Sequence, residues 1–170
     1  MTNSEWKTRK TLIDTKLASM NPKWKIIPYR EGLDTSVLTY HAVEEYPTAN
    51  GPADYAFFVK SKLLGILEAK KVAVDPQNVL EQAKRYSAGA KNTIGMWNGF
   101  KVPFLYSSNG MTIWFADIRD TGYYARELVN FHTPDALEEM FGKNSSDYIK
   151  WLKKTRMKLL RCLESPGRRP

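Results

Sequence analysis

The chain has a single cysteine, Cys162, and only two histidines, His41 and His132. One cysteine excludes an intramolecular disulfide, which suits a reducing cytosol. One cysteine and two distant histidines also exclude a structural zinc site of the usual kind. Serine–histidine–aspartate catalysis is disfavoured, because neither histidine has a recognisable partner; both read as structural or surface residues. No apolar stretch approaches the roughly 20 residues of a membrane span, so no membrane is implied. Met1 to Lys10 is polar and basic without an apolar core, which excludes a secretory signal. A cytoplasmic location is expected. Internal repeats and low-complexity tracts are missing, and so is a Gly-x-x-x-x-Gly-Lys-[Ser/Thr] phosphate loop.

Acidic residues are also in short supply, at 18 against 26 lysines and arginines, for a net charge of +8. With 170 residues, 42% hydrophobic and 26% charged, the composition is that of one soluble globular domain with a real core. The positive charge is uneven. Lys143 to Pro170 holds nine basic residues against two acidic ones, a net +7. Such a density attracts a polyanion such as DNA or RNA, with Lys153, Lys154 and Arg156 as candidate contacts. A solvated helix face or an interface with an acidic partner is the alternative.

Apolar spacing predicts a first helix over about Trp6–Met20, through Leu12, Ile13, Leu17 and Met20, ended by Asn21-Pro22. Trp24–Tyr29 and Val37–Tyr46 read as strands, and Pro47–Pro52 as a loop. Two apolar runs around Ser61 form a hairpin. Asp75-Pro76 starts a helix that reaches about Ala88, with Gly89 at its end. Val102–Tyr106 and Met111–Ala116 are strands around the turn Ser107-Ser108-Asn109-Gly110. Tyr123–Phe131 adds another strand or extended segment. A short helix follows from Thr133-Pro134 to Met140, and a last helix from about Asp147 to Leu163. The sum is an α/β layered domain, a mixed central sheet flanked by helices. Residues 1–164 are expected to form the domain, and the Pro/Gly/Arg-rich 165–170 to start a linker.

The central hairpin carries the chemistry. Glu68 and Lys70 are two apart on one strand and share a face. If the turn centres on Ser61, Asp54 lies directly across from Glu68, with Cβ atoms about 4.5–5.5 Å apart. Two such carboxylates repel unless a cation or proton separates them. Mg²⁺ suits the pair, with the backbone carbonyl of Ala69 as a further oxygen ligand. A metal there polarises a phosphate and lowers the pKa of water, and Lys70 positions that water or offsets transition-state charge. A charged surface strand is the alternative. Against it, Asp54 shares a face with Ala56 and Phe58, and Glu68 and Lys70 share one with Leu64 and Ile66. Charges on an apolar face are costly unless paired or metal-bound. On the next helix, Gln82 and Tyr86 are four apart and project from one side, with Lys84 and Arg85 alongside.

Asp54, Glu68-Ala69-Lys70 and Gln82-x-x-x-Tyr86 together resemble the PD-(D/E)xK nuclease superfamily. The chain is most similar there to the N-terminal endonuclease domain of the restriction subunit of type I restriction-modification enzymes. The likeness continues through Glu5 to Asp14, Ala53-Asp54-Tyr55, Leu67 to Lys71, Gln82 to Tyr86, Ser108-Asn109-Gly110 and Ile113-Trp114-Phe115. It covers about Glu5 to Leu163. The resemblance implies a restriction-endonuclease-like core and Mg²⁺-dependent cleavage of double-stranded DNA with little sequence preference. It implies Asp54 and Glu68 as metal ligands, Lys70 as the catalytic lysine, and Gln82 and Tyr86 as residues needed for cleavage. Glu5 is a further candidate for the metal shell; Glu44 and Glu45 read as strand-end surface charges. Lys84 and Arg85 join Lys153, Lys154 and Arg156 as candidate DNA contacts. ATP enters only through motor domains of the same polypeptide, absent from this sequence, and methyltransferase and specificity subunits are the expected partners. The alternative is a catalytically silent module of the same fold that binds DNA or docks onto those partners.

Overall fold

A computed structural model describes residues 3–71, 80–91 and 93–143. The N-terminal helical segment comprises α1 (Asn3–Thr8), a π-helical stretch (Arg9–Ile13) and α2 (Asp14–Ala18). The single regular helix predicted over Trp6–Met20 is therefore interrupted by a wider turn. Ile13 and Leu17, four apart, are both fully buried and dock the segment on the sheet.

Seven strands follow: β1 (Lys25–Pro28), β2 (Tyr40–Thr48), β3 (Gly51–Val59), β4 (Lys62–Ala69), β5 (Phe104–Ser108), β6 (Ile113–Asp117) and β7 (Arg126–Leu128). They lie in one sheet in sequence order. The pairs β1–β2 and β4–β5 are parallel and the other four antiparallel. A parallel pair needs a crossover connection, and the segment between β4 and β5 supplies one that contains α3 (Leu80–Gly89). The last described helix is α4 (Pro134–Gly142), capped by the Thr133 hydroxyl, which accepts from the Ala136 N–H at 3.2 Å. The mixed sheet with helices on both faces is the expected α/β architecture, consistent with a restriction-endonuclease-like core. The predicted Asp147–Leu163 helix, the start of α3 at Asp75-Pro76, and Cys162 lie outside the described residues.

Alternation along the strands builds two cores. On one face Tyr55, Phe57, Leu67, Tyr106 and Phe115 pack with Trp24, with Ile13 and Leu17 of the N-terminal segment, and with Leu137 of α4. Phe57 meets Tyr106 edge-on at 5.5 Å and Trp24 at 4.7 Å; aromatic pairs of this kind contribute about 0.5–1.5 kcal/mol each beyond area burial. On the other face Ala56, Phe58, Leu63, Ile66 and Leu105 pack against Leu80, Ala83 and Tyr86 of α3. His132 belongs to the first core: its Nδ1 is 2.7 Å from the Tyr106 hydroxyl, and burial holds the ring neutral, with its pKa lowered to about 4.

Three local readings are corrected. Pro47–Pro52 is no loop: β2 and β3 continue to Thr48 and Gly51, leaving a two-residue turn at Ala49-Asn50. Ser107 and Ser108 belong to β5, so the β5–β6 turn begins only at Asn109. The third correction concerns the central hairpin. Its turn is Lys60-Ser61, both with positive φ (48° and 66°), rather than a loop centred on Ser61. By itself that turn would put Asp54 opposite Leu67. A bulge next to Phe57/Phe58 shifts the register by one, after which Phe57 faces Gly65 and Tyr55 faces Leu67. The next step faces Asp54 with Glu68. Leu64 is the extra residue, and it joins the Tyr55–Phe57 core instead of the Glu68 face, where Leu63 and Ile66 sit.

The Ala49-Asn50 turn also fixes α3. Its end would otherwise leave carbonyls without partners. The Ala49 N–H donates to the Gly89 carbonyl at 2.8 Å, and Asn50 Nδ2 donates to the Arg85 carbonyl at 2.7 Å. Glycine at 89 permits this approach, since a Cβ there would lie 2.9 Å from the Asn50 backbone nitrogen. Gly89→Ala is expected to destabilise the domain by about 1–3 kcal/mol, read as a lower denaturant midpoint at unchanged slope. An unaltered midpoint would show that the turn does not hold α3.

Candidate active site

The bulge in the β3–β4 hairpin brings two acids face to face on the α3 side of the sheet. Asp54 extends from β3, and its Oδ2 accepts the Ala69 N–H at 2.7 Å. Glu68, near the end of β4, is 4% exposed. The two carboxyl groups face each other across the ladder, and the charge of Asp54 raises the cost of ionising Glu68. Burial pushes the Asp54 carboxyl up, while the Ala69 N–H and Arg9 pull it back. Burial, and then the charge of Asp54, push Glu68 up to about 8 against the pull of Lys70. With no cation between them, the pair holds a proton near neutral pH.

Lys70 follows β4 directly, and its N–H donates to the Ser108 carbonyl at 2.9 Å, carrying the β4–β5 pairing one residue further. Its ammonium donates to Glu68 Oε1 at 2.7 Å and to Gln82 Oε1 at 3.0 Å. Gln82 Nε2 in turn donates to the Tyr86 hydroxyl at 2.8 Å, one turn along α3. Tyr86 is itself buried in the second core. The structure thus brings Asp54, Glu68, Lys70, Gln82 and Tyr86 into one continuous line of contacts spanning two strands and a helix. Tyr86 is thus both a core residue and a polar partner.

Other candidates fall elsewhere. Lys84 turns away to Glu81 and lies 5.3 Å over the Tyr123 ring, and Arg85 is exposed on the outer side of α3. The side chain of Glu5, and all of Lys153, Lys154 and Arg156, lie outside the described residues. A cavity of about 400 Å³ bounded by Asp117, Asp120, Tyr123 and Arg126 includes none of the five residues.

Glu44 is not a surface charge, whereas Glu45 is exposed as expected, and both lie in mid-strand rather than at a strand end. Glu44 is buried and paired with Arg9 at 3.3 Å and with Lys10; Glu45 pairs with Arg9. Arg9 is the residue that sequence reasoning missed. It is 3% exposed, and its guanidinium lies 3.0 Å from Asp54 Oδ1 and 4.8 Å over the Tyr55 ring. Burial works against its charge but is outweighed by Glu45, Tyr55 and Asp54, so its pKa is raised. A signal was present: adjacent acids in one strand point to opposite faces, so one of Glu44 and Glu45 had to enter a packed layer and find a cation.

The donor set fits a hard divalent cation. Two carboxylates that face each other across the ladder offer oxygen ligands only. Among the described residues no group of three His, Cys, Asp or Glu side chains is arranged around a metal. Mg²⁺ is commonly held by one or two carboxylates, completing its shell with water and substrate phosphate.

Residues 24–141 match a family described as the second domain of the type I restriction enzyme EcoKI endonuclease subunit. A curated relative, the type I restriction enzyme EcoKI endonuclease subunit of Escherichia coli (strain K12), is 27% identical over 187 aligned positions. The match covers 82% of this chain and 16% of the relative, so the chain spans about a sixth of that protein's length. No solved structure matches the chain.

The raised Glu68 pKa has a consequence for stability. Between the ordinary value of 4.5 and about 8, the folded protein binds a proton that the unfolded chain has released. Stability from this group therefore falls as pH rises through that window and levels off above it. Glu68→Gln is expected to remove this slope when urea midpoints of the two proteins are compared from pH 5 to 9 without divalent cations. Parallel profiles would show that Glu68 titrates normally.

Proposed function

The chain belongs to the family of the second domain of the type I restriction enzyme EcoKI endonuclease subunit, and we propose that it is the DNA-cleaving module of such an enzyme. In this reading it is a Mg²⁺-dependent endonuclease of the PD-(D/E)xK type that hydrolyses phosphodiester bonds of double-stranded DNA with little sequence preference of its own. The observation that carries the reading is the unbroken contact line from Asp54 through Glu68, Lys70 and Gln82 to Tyr86. A solvated surface strand has no use for two mutually repelling buried carboxylates tied to a lysine.

Each residue has a distinct task. Asp54 and Glu68, with the Ala69 carbonyl, would hold Mg²⁺, which when bound supplies Lewis acidity toward a phosphate oxygen and lowers the pKa of water. Asp54 is oriented by the Ala69 N–H, so its carboxylate is fixed before any ligand arrives. The Lys70 ammonium, held between Glu68 and Gln82, orients the attacking water and offsets negative charge as it develops on the phosphate. Gln82 restricts that ammonium, and the Tyr86 hydroxyl restricts Gln82. Arg85, exposed on α3, with Lys84 next to it in sequence, and Lys153, Lys154 and Arg156 would contact DNA phosphates, which position the duplex without reading its sequence. Motor domains of the same polypeptide would bring ATP-driven translocation, and methyltransferase and specificity subunits would supply target choice. The proposed location is cytoplasmic; among the described residues no helix is long and apolar enough to cross a membrane.

The test is nicking of supercoiled plasmid with Mg²⁺, by the isolated domain and by the assembled enzyme. Asp54→Ala and Lys70→Ala are each expected to reduce cutting by about 10²–10⁴-fold. Tyr86→Phe should cost less, since only a support two contacts away is removed. Cutting that survives Asp54→Ala and Lys70→Ala would refute the site assignment. An assembled enzyme that never cuts would favour the silent docking module.

A further inference from the structure

We propose that Arg9 and Glu45 are positioning residues for Asp54, forming a clamp that ties the N-terminal helical segment to the cation-binding carboxylates; the inference rests on the reading of Asp54 and Glu68 given above. Arg9 grips Asp54 at two points. One terminal nitrogen lies 3.0 Å from Oδ1, and the other donates to the Asp54 backbone carbonyl at 3.3 Å. Side chain and main chain of the same residue are thus held by one rigid guanidinium. Oδ2 is taken by the Ala69 N–H on the opposite side. Both carboxylate oxygens and the main chain of Asp54 are thus held, at the position across the ladder from Glu68.

Glu45 completes the clamp from β2. The pairs Glu44–Tyr55 and Tyr46–Ala53 bracket it, so it sits directly across the ladder from Asp54. In ordinary extended backbone it would set a third carboxylate beside Asp54 at about 4.5–5.5 Å between Cβ atoms. Instead Glu45 adopts φ +53°, a left-handed conformation in mid-strand. Such a conformation is unfavourable for a residue with a side chain and persists only where its surroundings enforce it. Here the enforcing contact is the ion pair with Arg9, whose same nitrogen also reaches Asp54. The guanidinium therefore lies between two carboxylates that would otherwise collide.

Arg9 reaches this place because it opens the π-helical stretch Arg9–Ile13. Stretches of that kind are rare and frequently occur at functional sites. The Tyr55 ring beneath the guanidinium, at 4.8 Å, excludes water from one side. Lysine cannot replace this arginine, because a single ammonium cannot span Oδ1, the carbonyl and Glu45 in a fixed plane.

Calorimetric titration of the full chain with Ca²⁺, used as a cation that need not support cutting, separates the possibilities. Arg9→Lys and Glu45→Gln are expected to weaken Ca²⁺ binding, by about tenfold for Arg9→Lys, with the denaturant midpoint of Glu45→Gln close to wild type. In the assembled enzyme the same variants should lower kcat while leaving the KM for DNA unchanged. Binding that is unchanged or tighter in both variants would overturn the clamp, because a mere counter-charge competing for Asp54 gives that result. Asp54→Asn serves as the reference. If it binds Ca²⁺ as wild type does, or wild type binds none, the reading of the carboxylate pair fails and the clamp fails with it. If Asp54→Asn abolishes binding while Arg9→Lys and Glu45→Gln leave it intact, the clamp alone is wrong.

Discussion

Burying carboxylates side by side is the constraint on which this structure turns. Asp54, Glu68 and Glu44 all enter packed layers of the protein. An ionised carboxylate in such surroundings is unfavourable unless a cation or donor reaches it. Each one accordingly has a partner: Arg9 and the Ala69 N–H at Asp54, Lys70 at Glu68, Arg9 and Lys10 at Glu44. These partners come from the N-terminal segment and from the strand end. The charges thereby add to the apolar packing of Ile13 and Leu17 in joining the N-terminal segment to the sheet. Glu68 remains incompletely compensated, which is why its pKa climbs to about 8.

The scaffold around the carboxylates places their neighbours by backbone geometry rather than by side-chain reach. A two-residue turn and a one-residue bulge together set Asp54 against Glu68. The parallel β4–β5 pairing continues through Lys70 and holds its backbone in line. The Ala49-Asn50 turn caps the end of α3, so that Gln82 and Tyr86 face the strand ends. Each device is local, but the line of contacts exists only when all three operate at once. The family match over residues 24–141 spans every one of these devices, whereas Arg9 lies before it.

Much of this could be read from the chain itself. Alternation and turn chemistry marked β1, the central hairpin, β5, β6 and α4 close to where they lie. The acid-x-lysine triplet and the four-residue spacing of Gln82 and Tyr86 named the residues that meet. The face assignment of Leu64 went astray because a bulge leaves no composition signal: its neighbours Leu63, Gly65 and Ile66 permit either register, and only packing against Tyr55 and Phe57 selects one. Pro47–Pro52 looked like a loop because proline and glycine punctuate it, yet strand pairing continues through both.

Sequence alone therefore determined the covalent order of acid, lysine, glutamine and tyrosine, the alternation that sends them to one face, and the α/β class. These follow from the fixed periods of strand and helix. Tertiary structure decided the exact register of the hairpin, the left-handed backbone conformation at Glu45 in mid-strand and the arrival of Arg9 at Asp54. Arg9 and Asp54 are separated by 45 positions; no local period relates them, and their meeting depends on how a helix and a sheet, each satisfying its own hydrogen bonds, share one dry interface.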